Sequence, residues 1–444
     1  MKTKMTLLIA FLFLGLTSSF AQDNEACNNN LSLFTEAVKA KNCKEAYPYY
    51  QKAIQDCPKY NQSAIYKYGE DMFECFIDAA TGEQKKKYIN ELVGLWELRM
   101  VNYASKSPRG KYASKIAELR YDNRALLGLT DEQIYNEFDA IYKSDLKNFS
   151  SPKGLYVYFK MMVNLYDAKK KTPQELFDKY DDVVEKLETE VRENSADLNK
   201  IVVKEEAGTP LTKRDGQYKR FYEQTLSALD KIAGSVDSEL GDRANCENLI
   251  PLYKKDYEAN KNNAQWLQRA MNNLYAKECK EDPMFVKIVK QKYSLEPNAD
   301  TARYLYVITG EQKYLDETFR LETNPIKKAV LYYKQGNDYK AKGNYSQARN
   351  YYMKSVELNP SNRKPYLQIA SMYANSAKDC GSDAFSQRAV YWLAAQEADK
   401  GGSSSAATSY RGYAPSKVDI FDKNMNGKVI KIGCWIQRSV TVPN

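Results

Sequence analysis

Amphipathic stretches of roughly 10–18 residues, separated by short polar breaks, run through most of the chain, and no other feature limits the fold as strongly. The series Leu176, Phe177, Tyr180, Val183, Val184, Leu187, Val191 advances in steps of three and four, which lines one face of a helix. Its beginning is marked by Thr172-Pro173-Gln174-Glu175: a capping threonine, a proline whose missing N–H is no loss in the first turn, and a glutamate placed to reach back to the cap. Thr130-Asp131-Glu132-Gln133 opens another helix in the same way. Nothing before residue 415 alternates with period two for long, so the body is expected to be all-α.

Composition removes whole classes of chemistry. The chain has 444 residues and no histidine, so histidine triads, paired-histidine zinc sites and imidazole bases are excluded together. There is no phosphate-binding glycine loop, nucleophile elbow or dinucleotide pattern. The pairs Asp181-Asp182 and Glu205-Glu206 read as solvated surface. We nominate no catalytic residue, no metal ligand and no cofactor. Asp422, Asn424, Asn426 and Gly427 resemble the opening of a calcium loop, but Gly433 stands where the closing bidentate acid is due, so the segment reads as a hairpin turn.

The first 21 residues read as a secretory signal, with Lys2 and Lys4, an apolar run from Leu7 to Leu16, and Ser19-Phe20-Ala21 at the cleavage site. The run is too short to span a bilayer and none like it follows, so no transmembrane segment is expected in the mature chain. Cys27 follows Asn24-Glu25-Ala26 rather than an apolar lipobox, which speaks against a lipid anchor. Losing Lys2 and Lys4 lowers the net charge from +9 to +7. Lys85-Lys86-Lys87 and Lys169-Lys170-Lys171 are isolated triplets in turn-like stretches, not the continuous stripe that nucleic acid needs. The expected location is periplasmic or secreted. Eight cysteines in an exported chain, with no Cys-x2-Cys knuckle, point to four disulfides.

A period of about 34 residues emerges at 329–362. Tyr332, Gln335-Gly336, Tyr339, Gly343-Asn344-Tyr345, Ala348, Tyr352, Ser355 and Pro360 fall where small, aromatic and stop residues are needed for two closely crossing helices. This segment resembles the tetratricopeptide repeat at nearly every signature position. Ala46, Tyr50, Ala53 and Pro58 repeat the second-helix spacing, and Tyr366, Ala370 and Tyr373 open another copy. The resemblance implies an all-α, helical-hairpin solenoid that binds proteins rather than catalyses. In hairpins of this kind the start of one helix lies near the end of its neighbour. That would pair Cys27 with Cys57, Cys43 with Cys75 and Cys246 with Cys279, leaving Cys380 for Cys434.

Composition shifts suggest a signal peptide at 1–21, N-terminal helical repeats at 22–204, a linker or long loop at 205–216, central hairpins at 217–322 and C-terminal repeats at 323–400. Residues 401–444 read as a flexible Gly-Gly-Ser-Ser-Ser turn and a β-hairpin closing on Asn426-Gly427, capping the array.

On the helix face that lines the concave side of such repeats stand Tyr333, Asn337 and Lys340, the candidate partner-binding residues. Some tetratricopeptide proteins clamp a partner's C-terminal carboxylate there; Asn337 matches that pattern, whereas Tyr333 stands where a lysine is usual. The Ala21-Gln22 junction and Gly433-Cys434-Trp435-Ile436 look like envelope repeat proteins of Bacteroidota. The expectation is a scaffold or adaptor taking the peptide or helix of another envelope protein in its groove, with any outer-membrane association running through that partner. The second reading is a SusD-like glycan- or nutrient-binding protein, against which stand the missing lipobox and four tryptophans in 444 residues.

Overall fold

In the computed structural model, which describes residues 25–57 and 63–443, nearly every amphipathic stretch is a helix folded back on the next. The signal-like segment, Gln22 and the stop residue Pro58 lie outside the described residues. Among those described, no helix is long and apolar enough to cross a membrane. The chain forms two compact units. One comprises residues up to Val184 with Gly234–Glu239; the other comprises Glu185–Ala233 with Leu240 onward.

The first unit is built from helix pairs: 25–39 with Cys43–Asp56, Ser63–Ala79 with Gly82–Asn102, Arg109–Asp122 with Asp131–Asp145, and Pro152–Asp167 with the first part of Pro173–Glu206. The expected capping boxes are present. Thr130 accepts from the Gln133 N–H, and Thr172 and Glu175 exchange bonds of 2.9 and 3.2 Å. Ala46 and Ala53 are fully buried, which lets the Tyr50 ring sit 5.7 Å from Phe34 and 5.3 Å from Phe73. Lys85–Lys87 lie inside helix Gly82–Asn102 rather than in a turn, with Lys86 and Lys87 beside Glu83 and Glu91.

In the second unit the pairs are Ala264–Ala276 with Pro283–Leu295, Ala299–Thr309 with Gln312–Leu321, Pro325–Ala341 with Tyr345–Leu358, and Lys364–Asn375 with Ala384–Lys400. Helix Cys246–Asn260 precedes them. Four disulfides join Cys27–Cys57, Cys43–Cys75, Cys246–Cys279 and Cys380–Cys434, with Cα separations of 4.8, 6.6, 5.5 and 5.1 Å. The first three join the start of one helix to the end of a neighbour, as expected, and the fourth is the pair that remained.

The expected linker at 205–216 is shorter in the structure, because both of its ends are capped. Helix Pro173–Glu206 closes on Gly208 in the left-handed region, with Thr209 donating back to the Lys204 carbonyl. Thr212 and Asp215 then form a capping box of two 3.0 Å bonds that starts helix Lys213–Leu240. The chain passes between the units at 184/185, 233/234 and 239/240, each inside a helix, and not at this loop.

The tail also departs from expectation. Gly402 ends one helix with φ +76°, and Ser403 caps the next, Ser404–Tyr413, so the glycine–serine run is a stop followed by a start. Val418 and Ile420 belong to a short helix, Lys417–Asp422, opened by a Ser416/Asp419 capping box. The hairpin itself is present but turns at 433–437, where Cys434 and Gln437 have positive φ, rather than at Asn426-Gly427. Strand β1 (Val429–Ile432) pairs antiparallel with β2 (Arg438–Thr441), Ile430 opposite Val440. Ile430, Ile432 and Val440 enter the cluster around Val390 and Leu393 of helix Ala384–Lys400. Each such side chain contributes about 1.5–3 kcal/mol when removed from water. The Trp435 indole lies 5.4 Å from both Tyr345 and Tyr373 and donates to Ser376 Oγ at 2.9 Å, so the hairpin covers the last repeat.

Candidate partner-binding face

Helix Pro325–Ala341 starts at Asn324, whose Oδ1 accepts the Lys327 N–H at 3.0 Å, with Pro325 in the first turn. Its outer side is committed to packing. Tyr332 stacks on Phe319 of the preceding hairpin at 4.2 Å, and Tyr339 on Tyr351 at 5.3 Å. Gly336 faces the Tyr352 ring so closely that a Cβ would stand 2.7 Å from it. Tyr333, Asn337 and Lys340 each follow one of Tyr332, Gly336 and Tyr339 by one residue, and so share a second face about 100° round the helix.

The structure brings those three residues into one connected set. The Tyr333 ring, half-buried, lies 5.6 Å from Tyr352. Asn337 is exposed, and its Oδ1 accepts the Tyr352 hydroxyl at 2.7 Å. Lys340 Nζ donates to Gln368 Oε1 at 2.7 Å and sits 3.5 Å from Ser371 Oγ on the next inner helix. Its partners are neutral oxygens. Burial holds the Lys340 ammonium below the ordinary lysine range. Gln368 and Ser371 went unnoticed in the sequence, although their signal was available: they flank Ala370 in the copy that opens at Tyr366.

The inner side is not the empty groove that stacked hairpins alone would leave. Helix Pro173–Glu206 lies along it within the second unit. Glu185 takes a two-pronged ion pair from Arg269 at 2.8 and 2.9 Å. Further along, Glu188 sits in the field of Asp300, Lys327 and Lys334; burial raises its carboxyl above the usual range while the two lysines pull it back. Asn199 Oδ1 accepts the Ser361 N–H at 3.1 Å. On the returning helix, Asp230 pairs with Lys364. Successive residues of this segment thus meet successive inner helices. Asp300, Lys327 and Lys364 lie in the first turns of their helices and Arg269 and Lys334 near mid-helix, whereas Lys340 and Ser371 lie further along theirs. The expected groove is thereby partly filled.

All eight cysteines are in disulfides, so no thiol is available as nucleophile or ligand. Among the described residues no three cysteine or carboxylate groups converge as a metal site. The pair Asp181-Asp182 is not solvated surface, as the sequence had suggested. Asp181 is buried, and Asp182 is half-buried with its carboxylate 3.3 Å from Lys179. A residue pair whose neighbours Tyr180 and Val183 enter the core is carried inward with them. Glu205 and Glu206 are exposed, Glu205 reaching Lys219 at 2.5 Å.

No curated protein matches the chain. Among solved structures, the human IFIT1 dimer with m7Gppp-AAAA aligns at 12% identity and TM-score 0.28, over 86% of this chain and 88% of that one. A circular tandem repeat protein with novel repeat topology and enhanced subunit contact surfaces aligns at 12% identity and TM-score 0.23, over 90% and 95%. The specific sequence match is local: residues 329–362, the hairpin carrying Tyr333, Asn337 and Lys340, match the tetratricopeptide repeat family.

Proposed function

We propose that this protein is a non-catalytic protein-interaction scaffold of the bacterial cell envelope, of the Bacteroidota type, acting in the periplasm or after secretion. Lys340 is the observation that carries the binding reading. A half-buried ammonium spends its donors on an amide and a hydroxyl, with no carboxylate among the described residues to neutralise it. Such a group favours an incoming anion, since an opposite charge offsets the desolvation already incurred. The exposed Asn337 amide supplies a second polar contact, and the Tyr333 ring offers apolar area at low entropic cost. A partner's peptide or helix would lie across the inner helices past Tyr333 and Lys340, with a carboxylate at Lys340 and an apolar side chain against Tyr333. Outer-membrane association would run through that partner. Four disulfides support an oxidising compartment, as does the signal-like character of residues 1–21.

The test is affinity capture from mildly crosslinked native envelopes, with wild-type bait beside Tyr333→Ala/Asn337→Ala/Lys340→Ala and beside Lys340→Gln alone. The single variant keeps the Asn337–Tyr352 bond and so spares the packing. A few stoichiometric partners, lost from the triple variant and weakened by Lys340→Gln, are expected. Partners held equally by all three baits would place the binding face elsewhere, and an absence of enriched protein would overturn the scaffold reading.

A further inference from the structure

The C-terminal cap has an inner and an outer side. Ile420, Ile430 and Ile432 enter the core. On the outside, Val418 and Phe421, three apart on helix Lys417–Asp422, are 68% and 78% exposed. Val429 at the start of β1 is 65% exposed and Tyr413 60%. These are four of the five most exposed large apolar side chains among the described residues, and they fall within one short stretch of chain. Single exposed apolar residues need no explanation, but such a concentration does.

The charges of the same stretch are one-sided. Lys417, Lys423, Lys428 and Lys431 are all exposed, and none enters an ion pair among the described residues. Asp383, the nearby acid on which the Lys423 charge acts, is occupied in capping helix Ala384–Lys400. Asp419 is likewise committed: it accepts the Ser416 N–H at 2.7 Å and pairs with Arg388 at 3.0 Å. Asp422 remains as the one unpaired acid between 413 and 431.

We propose that this outer side of the cap, residues 413–431, is a docking surface for an anionic lipid bilayer. This goes beyond the scaffold reading, in which the membrane is reached through a partner. The charge pattern selects an anionic surface, because unpaired lysines gain most from a sheet of phosphates. The apolar pattern selects lipid over protein. Val418 and Phe421 stand out from a helix and Val429 from a strand, so a protein would need a separate socket for each. The boundary between headgroups and acyl chains admits protruding side chains without preformed complementarity, while lysine stems let their ammoniums stay at the headgroups.

The experiment is co-sedimentation of the oxidised full chain with vesicles of phosphatidylcholine alone or with one-third phosphatidylglycerol. Wild type should pellet only with the anionic vesicles and be released as salt shortens the screening length. Each lysine contributes about five-fold to partitioning, so K417Q/K423Q/K428Q/K431Q should lose on the order of 600-fold at the additive limit. V418S/F421S should lose about ten-fold or more. All six positions are exposed, and both variants should keep the wild-type melting curve. Absence of wild-type binding to anionic vesicles would overturn the proposal, as would binding unchanged in both variants. A loss confined to the lysine variant would overturn insertion of Val418 and Phe421. Capture of a soluble acidic protein through these residues without vesicle binding would overturn lipid in favour of a protein partner.

Discussion

Replacing Gly336 by alanine measures how much of the repeat rests on one close helix crossing. The added methyl would stand 2.7 Å from Cδ1 and Cε1 of Tyr352 and 3.2 Å from Cγ. Comfortable carbon contacts begin near ~3.5 Å, so the ring must retreat by roughly 0.8 Å. It has nowhere to go easily: Tyr352 is fully buried and its hydroxyl is held by Asn337. Overpacking of this kind costs about 1–3 kcal/mol. Alanine also favours the helix over glycine by ~0.8–1 kcal/mol, leaving a net loss of about 0–2 kcal/mol. Gly234, exposed in the interior of helix Lys213–Leu240 with nothing within 4 Å of its notional Cβ, isolates the propensity gain. Gly234→Ala should therefore stabilise its helix by about 1 kcal/mol. Native-state hydrogen exchange reads the difference locally. Amides of helix Tyr345–Leu358 should exchange up to ~30-fold faster in Gly336→Ala, since 1.4 kcal/mol is tenfold. Equal protection of that helix in wild type and Gly336→Ala, together with a gain at 336 matching that at 234, would refute the crossing argument.

Two further outcomes follow from the disulfides and from a buried acid. The Cys380–Cys434 bridge closes a separation of 54 residues and pins the hairpin turn to the insertion before helix Ala384–Lys400. Replacing both cysteines by serine should cost up to about 4 kcal/mol by the loop-entropy relation, read as a lower urea midpoint for the Trp435 fluorescence transition; an unchanged midpoint would refute the pinning role. Burial raises the Glu118 carboxyl above its ordinary range, with Ser151 and Lys153 partly opposing, and its Oε1 is buried without a partner. The folded state therefore keeps this proton to higher pH than the unfolded chain, and stability from it is lost as pH rises through the carboxylate range. Glu118→Gln should gain on wild type in urea unfolding between pH 4 and pH 7; a difference that does not change with pH would refute the assignment.

Local chemistry was readable wherever one segment carried its own instructions. Thr172 with Glu175 and Thr130 with Gln133 announce their helices, and Gly336, Ala348 and Tyr352 announce a close crossing, because each signal depends on residues a turn or a hairpin apart. The tail misled for a related reason. Asn426-Gly427 is a strong turn signal, yet Ser416 and Asp419 had already committed Val418 and Ile420 to a helix. The strands could then form only beyond residue 428, and the turn moved to 433–437. Thr212 with Asp215 was an equally local signal that shortens the 205–216 linker, hidden beneath a glycine–proline sequence that reads as a break. The trio Tyr333, Asn337 and Lys340 was legible from helix spacing. The helix along the inner side was not. Glu185 and Arg269 are 84 residues apart, and Asn199 and Ser361 are 162 apart. Nothing in either segment names the other.

The order in which the cysteines pair bears on how the chain can be oxidised. Cys246 joins Cys279 and Cys380 joins Cys434, each to the next cysteine along the chain. The first four interleave, Cys27 skipping Cys43 to reach Cys57, and Cys43 skipping Cys57 to reach Cys75. An oxidant that links thiols in order of their appearance would therefore make the last two bridges correctly and the first two wrongly. At the N-terminal end, helices must bring the right thiols together before oxidation, or a thiol-exchange catalyst must correct the pairing afterwards. Toward the C-terminus, oxidation can run ahead of folding without error.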